Sequence, residues 1–414
     1  MKLLGVISIV APFALGSLAC SSGTAPAQAP APLTSLPRAL TTAEQKLIGG
    51  SNTFAFDLMR QINGAQHNDN VFVSPLSASM ALGMASNGAA GTTYDAFHNT
   101  LRFGDANRQE VNEGYKSLIS LLTGLDPSTD VGIANSIWFE KTFPFKDTFL
   151  SESKSFFSAQ VQGLDFSKQS SVDAINGWVS DATAKKIPTI IDSIDPSEVM
   201  FLINAIYFKG SWQQKFDKAQ TTDAPFRSST GQSQTVPMMQ HEGRMRFARE
   251  PGLSAVDLYY GNSAFAMTLL LPDSTSDINA VTESLSGADW NKLLGEFHEG
   301  EVDLFLPRFR IEWKRQLNDD LRALGLGVAF TDAADFTGMS DQGRRLRISR
   351  VIQKTFVDVN EEGTEAAAVT SVGIQLTSIQ EPIRLRFDRP FVFAIRERFS
   401  GTILFIGKIV KLPA

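Results

Sequence analysis

One stretch near the C-terminal end of this chain reads Glu361-Glu362-Gly363-Thr364-Glu365-Ala366-Ala367-Ala368-Val369-Thr370. It follows a strand-like segment, residues 351–359, and continues into small, uncharged residues. At the two-residue period of a strand, the even positions from Thr364 to Leu376 carry no charge, whereas the odd positions begin with Glu365. One face could therefore be buried while the other meets water. By itself the stretch is also compatible with a plain loop before an edge strand.

Outward from this stretch, two helix starts are marked in the N-terminal half. Thr41 and Glu44 form a T-x-x-E capping box, which predicts a helix beginning after Thr41. Ser74 is a natural N-cap with Pro75 in the first helical position, and Gly88 predicts the end of that second helix.

Alternating apolar residues predict strands at residues 302–306 and 309–313, with a bulge or bend between them at Pro307-Arg308. The last stretch, residues 391–410, predicts a terminal hairpin. Helices and strands are interspersed without strict alternation, and no second linker divides the chain after residue 41. These patterns predict one large α+β domain.

Composition supports a sizeable core and argues against several partners. The 414 residues are 43% hydrophobic and 20% charged, with a net charge of -6. No basic stripe is present, so neither nucleic acid nor a heparin-like polysaccharide is expected as a partner. Cys20 is the single cysteine, which excludes an internal disulfide.

The N-terminus predicts export. A positive start, an apolar run and small residues before Cys20 are typical of a signal peptide over residues 1–20, with a loose match to the bacterial lipobox. Lipidation of Cys20 would make a membrane-anchored lipoprotein on the cell surface or facing the periplasm. The alternative is an ordinary signal peptide, cut elsewhere, and a secreted protein. Residues 21–40, rich in Ala and Pro, predict a disordered tether before a domain at residues 41–414.

No catalytic constellation is visible. The sequence contains no G-x-S-x-G elbow, phosphate-binding loop or dinucleotide fingerprint. His241-Glu242 begins like a zinc protease motif, but Met245 stands where the second histidine is required. We therefore expect no metal, no cofactor and no enzymatic activity.

Residues 361–370 closely resemble the hinge of inhibitory serpins, and further motifs extend this resemblance over the whole domain. In chain order these are Asn70-Val71-Phe72-Val73-Ser74-Pro75-Leu76-Ser77, residues 203–212, Val236-Pro237-Met238-Met239, Leu306-Pro307-Arg308-Phe309, Asp388-Arg389-Pro390-Phe391 and Leu404-Phe405-Ile406-Gly407. The resemblance implies a serpin-like fold with three β-sheets, eight or nine helices and an exposed reactive-centre loop.

The resemblance also implies roles for particular residues. Its breach and shutter, the top and middle of the main sheet, map to Arg308, Trp212, Ser74, Ser77, Asn204 and Gln353. Arg308 would pair with Glu361, and Gln353 stands where many serpins have a histidine, which removes any pH sensitivity there. The family's usual spacing from Gly363 places the reactive-site bond at Thr377-Ser378.

A serpin of this type would be a suicide-substrate inhibitor of serine proteases, with cysteine proteases as a further class. The protease cuts the loop, is held as a covalent acyl complex, and is trapped as the loop inserts into the main sheet. Thr377 favours elastase-like or subtilisin-like targets, and a cut after Leu376 would favour chymotrypsin-like ones. The alternative is a non-inhibitory serpin acting as a cell-surface binding module or chaperone. We expect a monomer that meets membranes only through a lipid anchor.

Overall fold

The computed structural model describes residues 31–195, 197–365 and 381–412, without the side chains of Leu202 and Asn204. Within these residues the helices are α1 (Thr42–Ala65), α2 (Pro75–Ser86), α3 (Gly91–Thr100), α4 (Arg108–Gly124), α5 (Asp147–Phe157), α6 (Gln169–Ala182), α7 (Ile278–Ser284), α8 (Gly287–Glu296) and the single turn α9 (Asn318–Leu321). The strands are β1 (Val71–Val73), β2 (Asp130–Glu140), β3 (Gln160–Leu164), β4 (Met200–Ser211), β5 (Thr222–Arg227), β6 (Ser233–Glu250), β7 (Leu253–Tyr260), β8 (Phe265–Pro272), β9 (His298–Pro307), β10 (Phe309–Gln316), β11 (Ile352–Asn360), β12 (Gly363–Thr364), β13 (Ile383–Arg386), β14 (Phe391–Glu397) and β15 (Ile403–Ile409).

Local sequence signals set the two predicted helix starts. The Glu44 amide donates to the Thr41 hydroxyl and the Thr41 amide donates to the Glu44 carboxylate, so the capping box is confirmed. Ser74 caps α2 by accepting from the Ser77 amide, as predicted. This helix ends at Ser86, two residues before Gly88.

The larger sheet has nine strands, in the order β1-β15-β14-β8-β7-β6-β9-β13, with β5 also paired to β6. The long strand β6 divides it, because its last residues pair with β7 whereas the rest pairs with β5 and β9. The nine-stranded sheet thus has two regions, one on each side of this division, and the six-stranded sheet described next is the third. The predicted α+β architecture is confirmed, and the terminal hairpin is the pair β14 and β15.

The second sheet has the order β10-β11-β12-β4-β2-β3. Its strand β12 has two residues and pairs antiparallel with both β11 and β4, so those longer strands run parallel to each other. No ladder joins β4 directly to β11 in the described residues. We call the line along which residues 200–209 of β4 face residues 352–358 of β11 the seam.

Of the two predictions for Pro307-Arg308, a bulge or a bend, the structure shows a bend between two strands. The chain crosses there from β9 in the nine-stranded sheet to β10 in the six-stranded sheet. The Arg308 amide donates to the Pro237 carbonyl at 2.9 Å, which fixes the crossing at the top of both sheets.

The two sheets enclose a large core rich in phenylalanine, in which Phe72 stacks with Phe393 and Phe405. A smaller cluster lies on the outer side of the six-stranded sheet, where Ile175 and Val179 of α6 are buried. The connection from α6 to β4, residues 183–199, therefore starts on the outer face of the sheet that contains the seam.

Residues 31–40 belong to the segment predicted as a tether. In the structure Leu33, Leu36 and Leu40 pack against the core, and the Leu33 amide donates to the Asn262 carbonyl. Arg38 donates to the Glu44 carboxylate. This part of the chain is held on the domain, in contrast to the expectation of a free tether reaching residue 40.

Candidate functional site at the top of the seam

A tight turn of Glu361 and Glu362 connects β11 to β12, so that Asn360 faces Gly363 across the ladder. Gly363 has a φ of 147°, and a Cβ there would lie 2.1 Å from the Gly210 carbonyl oxygen of β4. No residue with a side chain fits at this position. Gly363 thus allows the beginning of the hinge to lie between β11 and β4, because it lets the two backbones approach closely.

The carboxylate of Glu361 binds two separate parts of the chain. Arg308 Nε lies 2.7 and 2.8 Å from its two oxygens, Arg308 Nη2 also donates to it, and the Thr221 hydroxyl donates at 2.6 Å. Burial by itself would raise the pKa of Glu361, but the hydrogen bonds from Arg308 and Thr221 outweigh it and lower that pKa. The structure therefore brings together the two residues that the resemblance pairs.

Glu362 points to the other side of the turn, towards two lysines. Its carboxylate lies 2.8 Å from the ammonium groups of Lys215 and Lys218. Burial opposes ionisation, and these lysines overcome it and lower the pKa of Glu362. The Trp212 amide donates to the Glu362 carbonyl at 2.8 Å, so the turn is also fixed through its backbone.

Trp212 and Tyr260 form the floor beneath the hinge. The Trp212 indole donates to the Asn360 carbonyl at 2.8 Å and stacks on Tyr260, with ring centroids 4.4 Å apart. The Tyr260 hydroxyl and the Thr364 hydroxyl share a hydrogen bond of 2.7 Å. Thr364 is 1% exposed and faces Val359, so this position of the hinge lies on the core side of the sheet.

Midway along the seam, Gln353 of β11 is bonded twice to the residue that begins α2. The Ser74 amide donates to Gln353 Oε1 at 3.0 Å, and Gln353 Nε2 donates to the Ser74 carbonyl at 2.7 Å. The Ser74 hydroxyl donates to the Leu404 carbonyl and accepts from the Ser77 amide. None of these groups titrates near neutral pH. The side chain of Asn204 lies outside the described part of the structure.

Glu365 differs from the sequence expectation. As an odd position it was expected to meet water, yet its side chain is 3% exposed. Its amide still donates to the Asp358 carbonyl at 3.0 Å, but its φ of 57° turns the chain away from the ladder. The Tyr207 hydroxyl donates to its carboxylate at 2.9 Å, and Lys186 Nζ lies 3.4 Å away. Burial and this carboxylate raise the pKa of Tyr207.

Sequence reasoning missed the partners of the hinge: Thr221, Tyr260, Tyr207 and Lys186. Tyr207 lies within the motif at residues 203–212, but no local pattern marks any of the four as a partner of the hinge, since each is distant in the chain from the residue it binds. The remaining hinge residues, Ala366, Ala367, Ala368, Val369 and Thr370, lie outside the described residues. So do Thr377, Ser378 and Cys20.

The described residues contain no cluster of His, Cys, Asp or Glu suited to a metal ion. No described helix is long and apolar enough to cross a membrane.

Comparison with known proteins identifies the family. Residues 49–412 match the model of the family described as Serpin (serine protease inhibitor). The protein is a serpin. This serpin is 36% identical over 378 residues to the leukocyte elastase inhibitor of Sus scrofa, a match that covers 88% of this chain and 99% of that protein. It is 34% identical over 383 residues to Serpin B11 of Homo sapiens, covering 86% of this chain and 97% of that protein.

Solved structures agree on the serpin fold. Human thyroxine-binding globulin complexed with thyroxine superposes with a TM-score of 0.83 at 28% identity, over 90% of this chain and 100% of that one. The thermophilic serpin tengpin in its native state superposes with a TM-score of 0.82 at 31% identity, over 92% of this chain and 98% of that one.

Proposed function

We propose that this serpin inhibits serine proteases as a suicide substrate, and that it is not itself an enzyme. The observation that carries the proposal is β12, because Gly363 and Thr364 already pair with both strands that border the seam. Beyond Glu365, residues 366–376 form the uncharged segment that is expected to continue the insertion. Cysteine proteases that form acyl-enzymes are a second class of target.

The register of β12 predicts where an inserted loop would lie. Continuing it sets Ala366, Ala368 and Thr370 opposite Val357, Thr355 and Gln353, in that order. All three of these β11 residues are buried. The even positions of the loop would then enter the core, where a charged or bulky side chain would be costly and none stands.

Insertion lowers the free energy of the protein because both strands that border the seam supply backbone hydrogen-bond partners. Each ladder hydrogen bond adds about 0.5–1.5 kcal/mol net, and burial of apolar side chains adds roughly 25 cal/mol per Å². In the trapped state the protease serine is esterified to the Thr377 carbonyl, and the amine of Ser378 has left with the C-terminal fragment. Insertion competes with hydrolysis of that ester.

The side chain of Thr377 favours elastase-like or subtilisin-like proteases as targets. A small β-branched side chain suits a shallow apolar pocket, and no basic residue for a trypsin-like enzyme lies between Lys354 and Arg384. The similarity to leukocyte elastase inhibitors supports the same class. A cut after Leu376 would instead suit chymotrypsin-like enzymes.

Incubation with an elastase-type protease tests the function. We expect a complex of protease and inhibitor that survives boiling in detergent, and a released C-terminal fragment beginning at Ser378, read by mass spectrometry. A fragment beginning at Thr377 would move the specificity to Leu376. Faster inhibition of trypsin-like enzymes would overturn the assignment.

The matched control for this experiment is Thr364→Arg. Thr364 is 1% exposed and contacts Tyr260, so the variant buries a guanidinium at this position. No acidic partner is present there among the described contacts, so burying this charge is costly. The variant should be cut at the same bond without trapping the protease. A detergent-stable complex formed by Thr364→Arg would contradict insertion as the trapping step.

The rival function is a carrier or binding module, since thyroxine-binding globulin has the same fold. Fold similarity alone does not separate the two functions. The hinge favours inhibition, because its even positions Thr364, Ala366, Ala368 and Thr370 lack the charged, bulky or proline residues that would hinder insertion.

We further propose that the chain is exported as a monomer, with Cys20 as the lipidated N-terminus of the mature protein. The support is the apolar run before Cys20 and the Ala/Pro-rich segment after it. If lipidation does not occur, a secreted form is expected. The mature N-terminus, read by mass spectrometry, decides between them.

A further inference from the structure

Glu365 is the residue at which the chain leaves the sheet. Thr364 before it has ladder partners on both sides, whereas Glu365 keeps only its bond to β11 and adopts a left-handed backbone. Glutamate rarely adopts this conformation, so surrounding contacts must stabilise it. The fixed carboxylate supplies such contacts.

Those contacts come from two directions. Tyr207 lies on β4, at the border of the seam, and its hydroxyl donates to Glu365. Lys186 lies in the connection after α6, follows two residues of left-handed backbone, Ala184 and Lys185, and reaches the same carboxylate oxygen.

Lys186 also touches the far side of the seam. Its ammonium lies 5.1 Å from the ring centroid of Phe356 on β11, a cation–π distance. The same ammonium thus contacts the hinge carboxylate and β11, while Tyr207 joins that carboxylate to β4. The α6–β4 connection makes a second link over the seam, since Lys354 Nζ donates to the Thr189 carbonyl at 3.3 Å.

We propose that Tyr207 and Lys186 are positioning residues that hold the hinge at Glu365 and set the rate of loop insertion. We call Tyr207, Lys186 and the Glu365 carboxylate the hinge clamp. The clamp rests on the proposed function, because it acts on the insertion step.

The clamp must open before a third residue can join β12. In the inserted register Glu365 faces Asp358 and Lys209 with extended backbone, which its present φ does not allow. Returning to an extended conformation carries its carboxylate away from Tyr207 and Lys186. Residue 367 then takes the position facing Tyr207 and Phe356, beneath the Lys186 ammonium. The contacts stabilise only the state in which the loop is outside.

The experiment measures conversion of the uncleaved protein to its inserted form, without any protease. Purified protein is incubated at a temperature at which wild-type conversion takes hours, and the remaining loop-exposed form is followed by native electrophoresis. Tyr207→Phe should convert about tenfold faster, the effect of losing one charge-assisted hydrogen bond. Lys186→Met, which removes the ion pair with the buried Glu365 carboxylate, should also convert severalfold faster.

Matched variants separate the clamp from general destabilisation. Lys185→Met removes the neighbouring lysine, which is 71% exposed and pairs with Asp181, and should convert at the wild-type rate. Lys186→Arg keeps the charge and should restore slow conversion. Glu365→Gln combined with Lys186→Met should be no faster than Glu365→Gln alone, because both act through one contact.

Equal rates for Lys186→Met and Lys185→Met would overturn the proposal. So would additive effects of Glu365→Gln and Lys186→Met. Failure of the proposed function is a different result: wild-type protein that forms no detergent-stable complex with any protease, whatever the conversion rates of these variants.

Discussion

Glu361 shows how much a single carboxylate can hold in place at the top of this molecule. It sits in the turn between β11 and β12, yet it binds Arg308 at the crossing between the two sheets and Thr221 just before β5. One side chain therefore joins three separate regions of chain. Because it is 2% exposed, the partners of this carboxylate cannot be replaced by water.

Replacing Glu361 should loosen this junction. Glu361→Lys puts a second positive charge beside Arg308 in a buried site, so we expect a loss of roughly 3–5 kcal/mol in the free energy of unfolding. The opened sheet should then accept loops from other molecules. Chemical denaturation and size-exclusion chromatography after warming measure both effects.

The charge-swapped variant Glu361→Lys/Arg308→Glu is the control, and it should recover part of the stability. A Glu361→Lys protein that stays monomeric with unchanged melting would contradict the role of this pair. The pH dependence has a definite sign. Since the pKa of Glu361 is lowered by folding, its stabilisation is present above the unfolded value and is lost as the pH falls below it.

At the scale of elements, α1 ends without a basic residue in its last turn. The cation comes instead from β15: Lys408 Nζ donates to the carbonyls of Gln66 and His67 and to the side-chain oxygens of Asn63 and Asn279. Burial lowers the pKa of Lys408 to about 8. A lysine from the C-terminal hairpin thus caps the first helix of the domain.

Lys408→Met should test this cap. It leaves buried oxygens without a donor, so we expect a loss of about 1–3 kcal/mol at pH 7. In the wild type the unfolded chain binds more protons than the folded one between pH 8 and about 10, so stability should rise with pH in that window. The rise should be missing in Lys408→Met. Lys411→Met, which removes an exposed pair with Asp69, should change stability by less than about 1 kcal/mol.

Several helices and strands of this protein could be predicted from the sequence. Helix starts at Thr41 and Ser74 were predictable because a cap bonds within three residues of itself. The strand β11 and the terminal hairpin followed from alternation and a turn signal. Each of these signals is contained in a short window.

The site could be predicted only in part. The hinge was visible because one face lacks charge, but the left-handed Glu365 was not, since Tyr207 lies 158 residues away from it in the chain. The change of sheet at Arg308 could not be predicted for a similar reason, because the sequence there indicates only a bulge or bend. Alternation reports which side of a strand is buried, and it does not report which sheet the strand belongs to.

At the scale of the whole molecule, cleavage of the loop should change thermal stability. If the cut loop enters the seam, the six-stranded sheet gains a full central strand, and the cleaved protein should melt above the intact one. At an unfolding entropy of about 2.1 cal/mol/K per residue, each kcal/mol raises the melting temperature of a domain of this size by about 1 °C, so an insertion worth on the order of 10 kcal/mol should raise it by roughly 10 °C. Differential scanning calorimetry before and after cleavage measures the shift. Equal melting temperatures would favour the carrier function, and Thr364→Arg should show a reduced shift.

The seam between β4 and β11 has room for one strand only, because both of its backbone edges are used when that strand is added. Under the proposed mechanism, a molecule that has filled the seam cannot accept a second strand, so each copy of the protein would be consumed by one protease. The protection would then be limited by how many copies are made, and affinity for the protease would decide chiefly which encounter consumes each copy.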